Sequence, residues 1–364
     1  MIEKYALEID FLPVGEESKS GDAIAMRFGM VNDGKWIDPT IFIIDGGNSD
    51  SGDALVRHVT EIYKSTKVDR MILTHPDGDH ASGLKNVIEE LQVGKIWMHR
   101  PWTYWSHLKD SIVDGRVTKK SFDEKLREAY QYAHDIEQLA IENDIDIIAP
   151  HQGKYYQERE ERILTVLGPD KEFYLGLIKA SDKTPEMIEK AIEEKSYSTK
   201  SIKKRVKEDM TFATENLAEE HEATSAENDM SLIMLLTVAG SKVLFTGDAG
   251  TQGLFKAITY ANANSLGLND IDIFDIPHHG SRHNLSKGIL KYIQAKYAVV
   301  SCSKKGEPTH PSPIVTNSLL RRNIKVQWTK GNTLYYHRGN PPMREGWSSA
   351  PFVPFSSEVE IPVE

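Results

Sequence analysis

Apolar residues recur along this chain in short runs that stop abruptly at polar clusters. Residues 7–14 and 23–28 read as two strands separated by a Gly/Ser/Glu turn, and 40–44 as a third that stops at Asp45-Gly46-Gly47-Asn48. Residues 52–65 have helical spacing, with Leu55, Val56, Val59 and Tyr63 on one side. A strand at 68–74 ends in His75-Pro76-Asp77-Gly78-Asp79-His80, and a short helix (84–91) and a strand (95–99) follow. Residues 231–238 and 242–246 read as a hairpin turned at Ala239-Gly240-Ser241, the second strand ending at Gly247-Asp248. Then come a helix (253–263), a strand (271–276) ending in Pro277-His278-His279-Gly280-Ser281, a helix (285–295), a strand (298–302), a helix (315–321) and a strand (325–329). Strands alternating with helices predict a layered α/β domain.

Two segments break that rhythm. Residues 121–143 are amphipathic, with Phe122, Leu126, Ala129, Tyr130, Ala133, Ile136 and Ala140 at three- and four-residue steps, which predicts one long helix. Residues 171–229 are charged and largely helical in pattern; within them 190–207 carries seven basic and two acidic residues. A solvated helix face is the ordinary meaning of such a run, and a polyanion-binding edge the sharper one. The tail beyond Gly339 holds five prolines and reads as extended over the body or loose. One domain over 1–340, helical insertions at about 103–150 and 171–225, and a Pro-rich tail at 341–364 describe this organisation.

Composition narrows the function classes. With 44 basic and 54 acidic residues the formal charge is −10, so any contact with a polyanion needs a local patch. The single cysteine, Cys302, leaves no internal disulfide and no Cys-based structural zinc. No apolar run reaches the roughly 18–20 residues of a membrane span, and the N-terminus lacks a basic-then-apolar signal pattern, so a soluble cytoplasmic protein is expected.

Histidine is the telling residue: 13 are present, several beside Asp, Gly and Pro. Four times an apolar strand stops and His, Asp or both follow directly, at Asp45, His75–His80, Asp248 and His278-His279. Loops leaving strand ends can converge on one sheet edge, and imidazoles with carboxylates there suit a dinuclear metal site. His75 and Asp77 can point the same way on an extended segment, and Gly78 permits a turn that aims Asp79 and His80 at a second metal. Asp248 alone could cap the helix after it, and the paired histidines could be structural; together the three segments are far more specific. Trp97, Trp102, Tyr104 and Trp105 could stack bases near such a site, though core packing is the commoner fate of aromatics.

In these motifs, in Gly83, in Gly21-Asp22-Ala23-Ile24 and in Gly306–Pro311, the chain resembles the metallo-β-lactamase fold. More narrowly, it is similar to the hydrolase domain of the competence protein EC family of DNA-uptake channels. The resemblance implies an α/β fold, a four-layer αββα sandwich, holding two divalent metal ions, Zn²⁺ or Mn²⁺. It implies that His75 and Asp77 bind one metal, that Asp79 and His80 bind the other, that Asp248 bridges, and that one of His278 and His279, His279 by preference, completes the set. His278 then contacts the substrate oxyanion and, with Asp79, stands nearest the chemistry; Asp45, Asn228 and His310 orient from behind, and Ser281 touches substrate. Outside the resemblance, the basic run offers Lys203, Lys204 and Arg205 as further substrate contacts. Asp77 stands where the wider fold usually has His, and Asn228 near a further usual His; these oxygen-rich departures favour harder ions such as Mn²⁺ and argue against β-lactam hydrolysis. The expected activity is a metal-dependent phosphodiesterase or nuclease acting on nucleic acid or nucleotides. Hydrolysis of a small ester, lactone, thioester or phosphorylcholine-type substrate is the alternative. A metal-stabilised module that binds a protein partner through its helical insertions is a third reading.

Overall fold

In the strands Lys4–Phe11, Ala23–Asn32 and Lys35–Gly46, successive side chains point to opposite faces, and residues on both faces are buried. A sheet apolar on both sides must be covered on both. The computed structural model, which describes residues 4–16, 20–112, 116–184, 203–220, 224–305 and 310–362, shows how. Leu7, Ile9, Phe11, Ile24, Met26, Phe28, Phe42 and Ile44 face a second sheet and meet Val166, Met234, Leu236, Val243, Phe245 and Ile273 from it. The opposite face of the first sheet carries Ala25, Ile41, Ile43 and Met71 against the helices Ser49–Arg57, Leu84–Glu90, Lys119–Ala129 and Gln131–Glu142. The outer face of the second sheet is covered by the helices Thr251–Ala263 and Pro313–Arg321. The result is the expected αββα sandwich.

Each sheet has seven strands. The first runs Leu334–Arg338, Lys4–Phe11, Ala23–Asn32, Lys35–Gly46, Arg70–Ile72, Lys95–Trp97, Asp146–Ile148, and its pairings are parallel from Lys35–Gly46 onward. The second runs Lys325–Trp328, Ala295–Val300, Ile271–Asp275, Ser241–Phe245, Ile233–Val238, Glu161–Gly168, Tyr155–Glu158, its first four parallel. Parallel neighbours send their carboxyl ends to the same edge, where ligands bind in α/β folds. Every histidine- or aspartate-bearing loop singled out above leaves one of these parallel strands.

Several expected elements differ. The helix foreseen over 121–143 is two, broken at Tyr130 (φ −113°, ψ 46°), whose hydroxyl donates to Glu227 Oε1 at 3.0 Å and also lies 3.1 Å from Ser181 Oγ. The helix foreseen over 285–295 shrinks to one 3₁₀ turn, Ile289–Lys291, because Lys287 and Gly288 donate their backbone N–H groups to Ala218 and Glu219. The basic run is not helical over its described part: Lys203–Lys207 is a strand paired antiparallel with Glu358–Pro362 of the tail, and 190–202 lie outside the described residues. The tail is docked as well as extended, with Val353 donating to Val326 O at 2.8 Å. Trp97 and Trp102 are buried and Tyr104 nearly so, which makes them core packing and not a base-stacking surface. Among the described residues no helix is long and apolar enough to cross a membrane.

The strand Lys203–Lys207 is anchored through the residue after it. Glu208, buried, accepts from Arg321 Nη2 at 3.0 Å and from Asn317 Nδ2 at 2.7 Å, and Arg321 also donates to Asp209 O and Thr211 O. Removing one partner strands the other charge in the interior, at about 3–5 kcal/mol. Arg321→Leu is therefore expected to lower unfolding stability by about 3 kcal/mol or more in urea titration; a change below about 1 kcal/mol would mean that the pair contributes no more than an exposed one.

Candidate metal centre

Asp45 begins the site. It ends its strand with a left-handed backbone, φ 55°, which turns its buried carboxylate across to the next strand. Its Oδ1 accepts the Thr74 backbone N–H at 2.8 Å, and its Oδ2 accepts the Thr74 hydroxyl at 2.6 Å and lies 2.8 Å from His80 Nδ1. That last contact fixes the His80 ring and leaves Nε2 facing the opposite way. Gly83 closes the loop beneath: a Cβ there would stand 2.1 Å from Gly46 O, so only glycine lets the His75–His80 turn seat this closely.

The second sheet supplies the other half. Gly247 takes φ 49° with Thr74 against it, and Asp248 follows, its N–H on Ser231 Oγ at 3.0 Å and its carbonyl accepting from Asn284 Nδ2 at 2.8 Å. His278 and His279 both adopt left-handed φ, 47° and 54°. Two consecutive non-glycine residues in that region cost of order 1–3 kcal/mol each, and such strain gathers at functional sites.

These segments meet around the Asp248 carboxylate. Its Oδ2 lies 3.7 Å from His75 Nε2 and 3.7 Å from His278 Nε2; its Oδ1 lies 3.3 Å from His80 Nε2 and 3.6 Å from His279 Nε2. Asp77 Oδ2 joins the first group, 3.9 Å from His75 Nε2. Asp79 joins the second, with one donor atom each from Asp79, His80 and His279 within 4.8 Å of one another. Among the described residues, the buried atoms His75 Nε2, His80 Nε2, His279 Nε2 and Asp248 Oδ1 have no hydrogen-bond partner. Buried polar atoms are almost always satisfied; nitrogens and a carboxylate oxygen left bare and convergent fit a divalent cation. His, Asp and no Cys make a mixed nitrogen–oxygen donor set, open to Zn²⁺ and to harder ions alike.

Charge follows the same logic. Burial, with His80 behind it, holds the His75 imidazole below its usual range, and burial holds His279 well below, so both are neutral and ready to ligate. Burial works against charge on His80 too, but Asp248 and Asp45 outweigh it and raise the ring well above normal. Burial opposes ionisation of Asp248, and His278, His80 and His279 overcome it, holding that carboxyl well below its usual range.

Two buried carboxylates here had no site role in the sequence, Asp22 standing there only within a motif and Asp275 not at all. Asp22 lies 3.7 Å from His279 Nδ1 and 3.9 Å from His80 Nδ1, and burial first, then Asp248 and Asp45, push it up to about 7 against the pull of His80. Asp275, whose Oδ1 has no partner, is pushed well above its usual range by burial and by Asp22 and Asp45. The signals were a lone Asp opening a strand and another closing one, neither distinctive alone. Of the other expected residues, Asn228 Nδ2 lies 3.2 Å and Asn284 Oδ1 3.0 Å from His278 Nδ1, and the His310 ring centroid is 5.0 Å from that of His278. Ser281 is buried, accepting from His283 N at 3.3 Å and donating its own N–H to His278 O. Lys203, Lys204 and Arg205 are exposed on their strand, with Lys203 and Arg205 beside Glu360, and no contact with the Asp248 group is seen among the described residues.

His80→Ala and Asp248→Asn are each expected to lose metal, read by metal analysis, with cooperative unfolding intact. Asp45→Asn should keep the ligands and weaken metal affinity about 10–100-fold. Wild-type metal content in both ligand variants would place the centre elsewhere.

Residues 30–304 match the sequence model of the metallo-beta-lactamase superfamily. A segment of 118 residues, 32% of this chain and 14% of the relative, is 26% identical to ComE operon protein 3 of Bacillus subtilis (strain 168), so the chain spans a small part of that relative's length. Among solved structures, a long form RNase Z from yeast aligns over 91% of this chain and 41% of its own, at 12% identity and TM-score 0.41. Unliganded yeast PDE1 aligns over 91% and 99%, at 10% identity and TM-score 0.40. The family match covers most of the chain and all four strand-end motifs, and the chain belongs to the metallo-β-lactamase superfamily of metal-dependent hydrolases.

Proposed function

We propose that the chain is a phosphodiesterase acting on nucleic acid or nucleotides. The observation that carries this reading is the division of Asp248: Oδ2 lies nearest His75 and His278 and Oδ1 nearest His80 and His279, with Asp77 beside His75 and Asp79 grouped with His80 and His279. Paired sites of that kind suit in-line displacement at phosphorus, where attacking and leaving oxygens both gather charge. Divalent cations bound there supply Lewis acidity that acidifies water and draws charge from a phosphoryl oxygen. His75 and Asp77 would hold one cation and Asp79, His80 and His279 the other, with Asp248 available to both. Asp45 keeps His80 in the orientation that presents Nε2. His278, its Nδ1 bracketed by Asn284 and Asn228, turns Nε2 toward the centre, where it contacts the oxyanion of the reacting phosphoryl group.

Lys203, Lys204, Arg205 and Lys207 on one strand face only Glu358 and Glu360 among the acidic residues of its partner, so this edge keeps a basic excess able to attract a phosphate backbone. The formal charge of −10 speaks for a small ester or lactone instead.

The test is a panel. Metal-loaded protein is expected to cleave single-stranded DNA, RNA or a small chromogenic phosphodiester faster than a chromogenic acetate ester or a lactone; the reverse order would overturn the proposal for the small-ester reading. With Asp77 and Asn228 where nitrogen ligands are usual, Mn²⁺ added to metal-free protein is expected to support more turnover than Zn²⁺, and full activity with zinc alone would contradict that. Changing Lys203, Lys204 and Arg205 together to Glu should raise KM for long nucleic acid and flatten its salt dependence, with kcat on the small phosphodiester nearly constant. An unchanged salt slope would make the run a solvated edge.

A further inference from the structure

A cation from the insertion stands at the mouth of the metal centre. Lys183 Nζ donates to Asp77 Oδ1 at 3.0 Å, and the other oxygen of that carboxylate is the one beside His75. The side chain is 39% exposed, so two of its three ammonium N–H groups have room for an incoming acceptor. An ion pair this open contributes roughly 0–1 kcal/mol, yet the fold fixes it with care. Its turn follows the helix Lys171–Ala180 and is pinned by Ser181, whose buried hydroxyl donates to Glu227 Oε1 at 2.6 Å and accepts the Lys183 N–H at 3.1 Å. Tyr130, also bonded to Glu227, lies with its ring 5.0 Å under the ammonium.

Over Gly78, the residue after Asp77, is an exposed aromatic. The Tyr132 ring lies across Gly78, so close that a Cβ on Gly78 would stand 2.6 Å from it, and Tyr132 remains 48% exposed. The helix break at Tyr130 brings this about: Tyr130 goes inward to Glu227, and Tyr132, two residues on, comes out over the metal-binding loop.

We propose that Lys183 and Tyr132 form a nucleotide subsite on the Asp77 side of the centre. Lys183 takes a non-bridging phosphate oxygen while remaining paired with Asp77, and Tyr132 offers its open face to the adjoining base. The pairing matches one ligand class, a phosphate with an aromatic base one link away. A lone ammonium would suit any anion, and a lone ring any apolar group. The proposal rests on the phosphodiesterase reading for its substrate, but its recognition chemistry can be measured without turnover.

The test is calorimetric titration of metal-loaded protein with inorganic phosphate and with adenosine monophosphate, metal content being checked in every variant. Lys183→Met, which keeps the stem over Tyr130, is expected to weaken both ligands about ten- to a hundredfold, as loss of a charge-assisted hydrogen bond does, and Lys183→Arg to restore most of the loss. Tyr132→Ala is expected to weaken adenosine monophosphate about fivefold or more and leave inorganic phosphate unchanged. Equal binding of both ligands in Lys183→Met and wild type, at equal metal content, overturns the subsite; so does a Tyr132→Ala variant that binds both as wild type. If the dependence on Lys183 and Tyr132 holds while no phosphodiester is cleaved, the subsite stands and the phosphodiesterase reading falls. If phosphodiesters are cleaved equally by wild type and both variants, with unchanged KM, the subsite falls alone.

Discussion

Asp45 accepts three hydrogen-bonding groups from a neighbouring strand end and its loop: the backbone N–H and hydroxyl of Thr74 and the Nδ1 side of His80. A buried carboxylate is tolerable only when so satisfied, and satisfying this one sets the His75–His80 loop. Thr74 is held where its carbonyl can accept from Leu232 of the second sheet, and its side chain lies against Gly247 just before Asp248. The two sheets are therefore tied at the edge where their loops meet, and His80 Nε2 comes to Asp248 as a consequence of what holds its other nitrogen. The candidate metal centre lies at that edge, and the sandwich behind it is the frame that keeps the edge from drifting.

The frame and the centre were legible for one physical reason. Parallel strands buried on both faces read as unbroken apolar runs, and the polar residues that end them stand out. Asp45, His75–His80, Asp248 and His278-His279 each follow such a run, so their convergence could be read from their order. Asp22 and Asp275 could not, since one aspartate at a strand end is common and only the fold brings these two beneath His80 and His279. Lys183 was hidden more deeply. It is one lysine in a charged segment, and its position depends on Ser181, Tyr130 and Glu227, three residues far apart in sequence.

The misread elements share a cause of the opposite kind. Local pattern suggested helix at 121–143 and 285–295, and distant partners overrode it. Tyr130 is drawn to Glu227 and Ser181, and the amides of Lys287 and Gly288 to the carbonyls of Ala218 and Glu219. Lys203–Lys207 has a strand partner in the tail, Glu358–Pro362, that no short-range signal announces. The strand is tied to the helical layer through Glu208 and Arg321 next to it. The insertions are thus more than padding around a common fold, since one sets Tyr132 and the other Lys183 at the His75–His80 loop.

The most direct measurement is anomalous diffraction from crystals of the protein loaded with Mn²⁺. Two peaks are expected about 3.5–4 Å apart, one near Asp248 Oδ2, His75 and Asp77, the other near Asp248 Oδ1, Asp79, His80 and His279. A single peak that does not touch Asp248, or peaks at other residues, would contradict the division of that carboxylate between two cations.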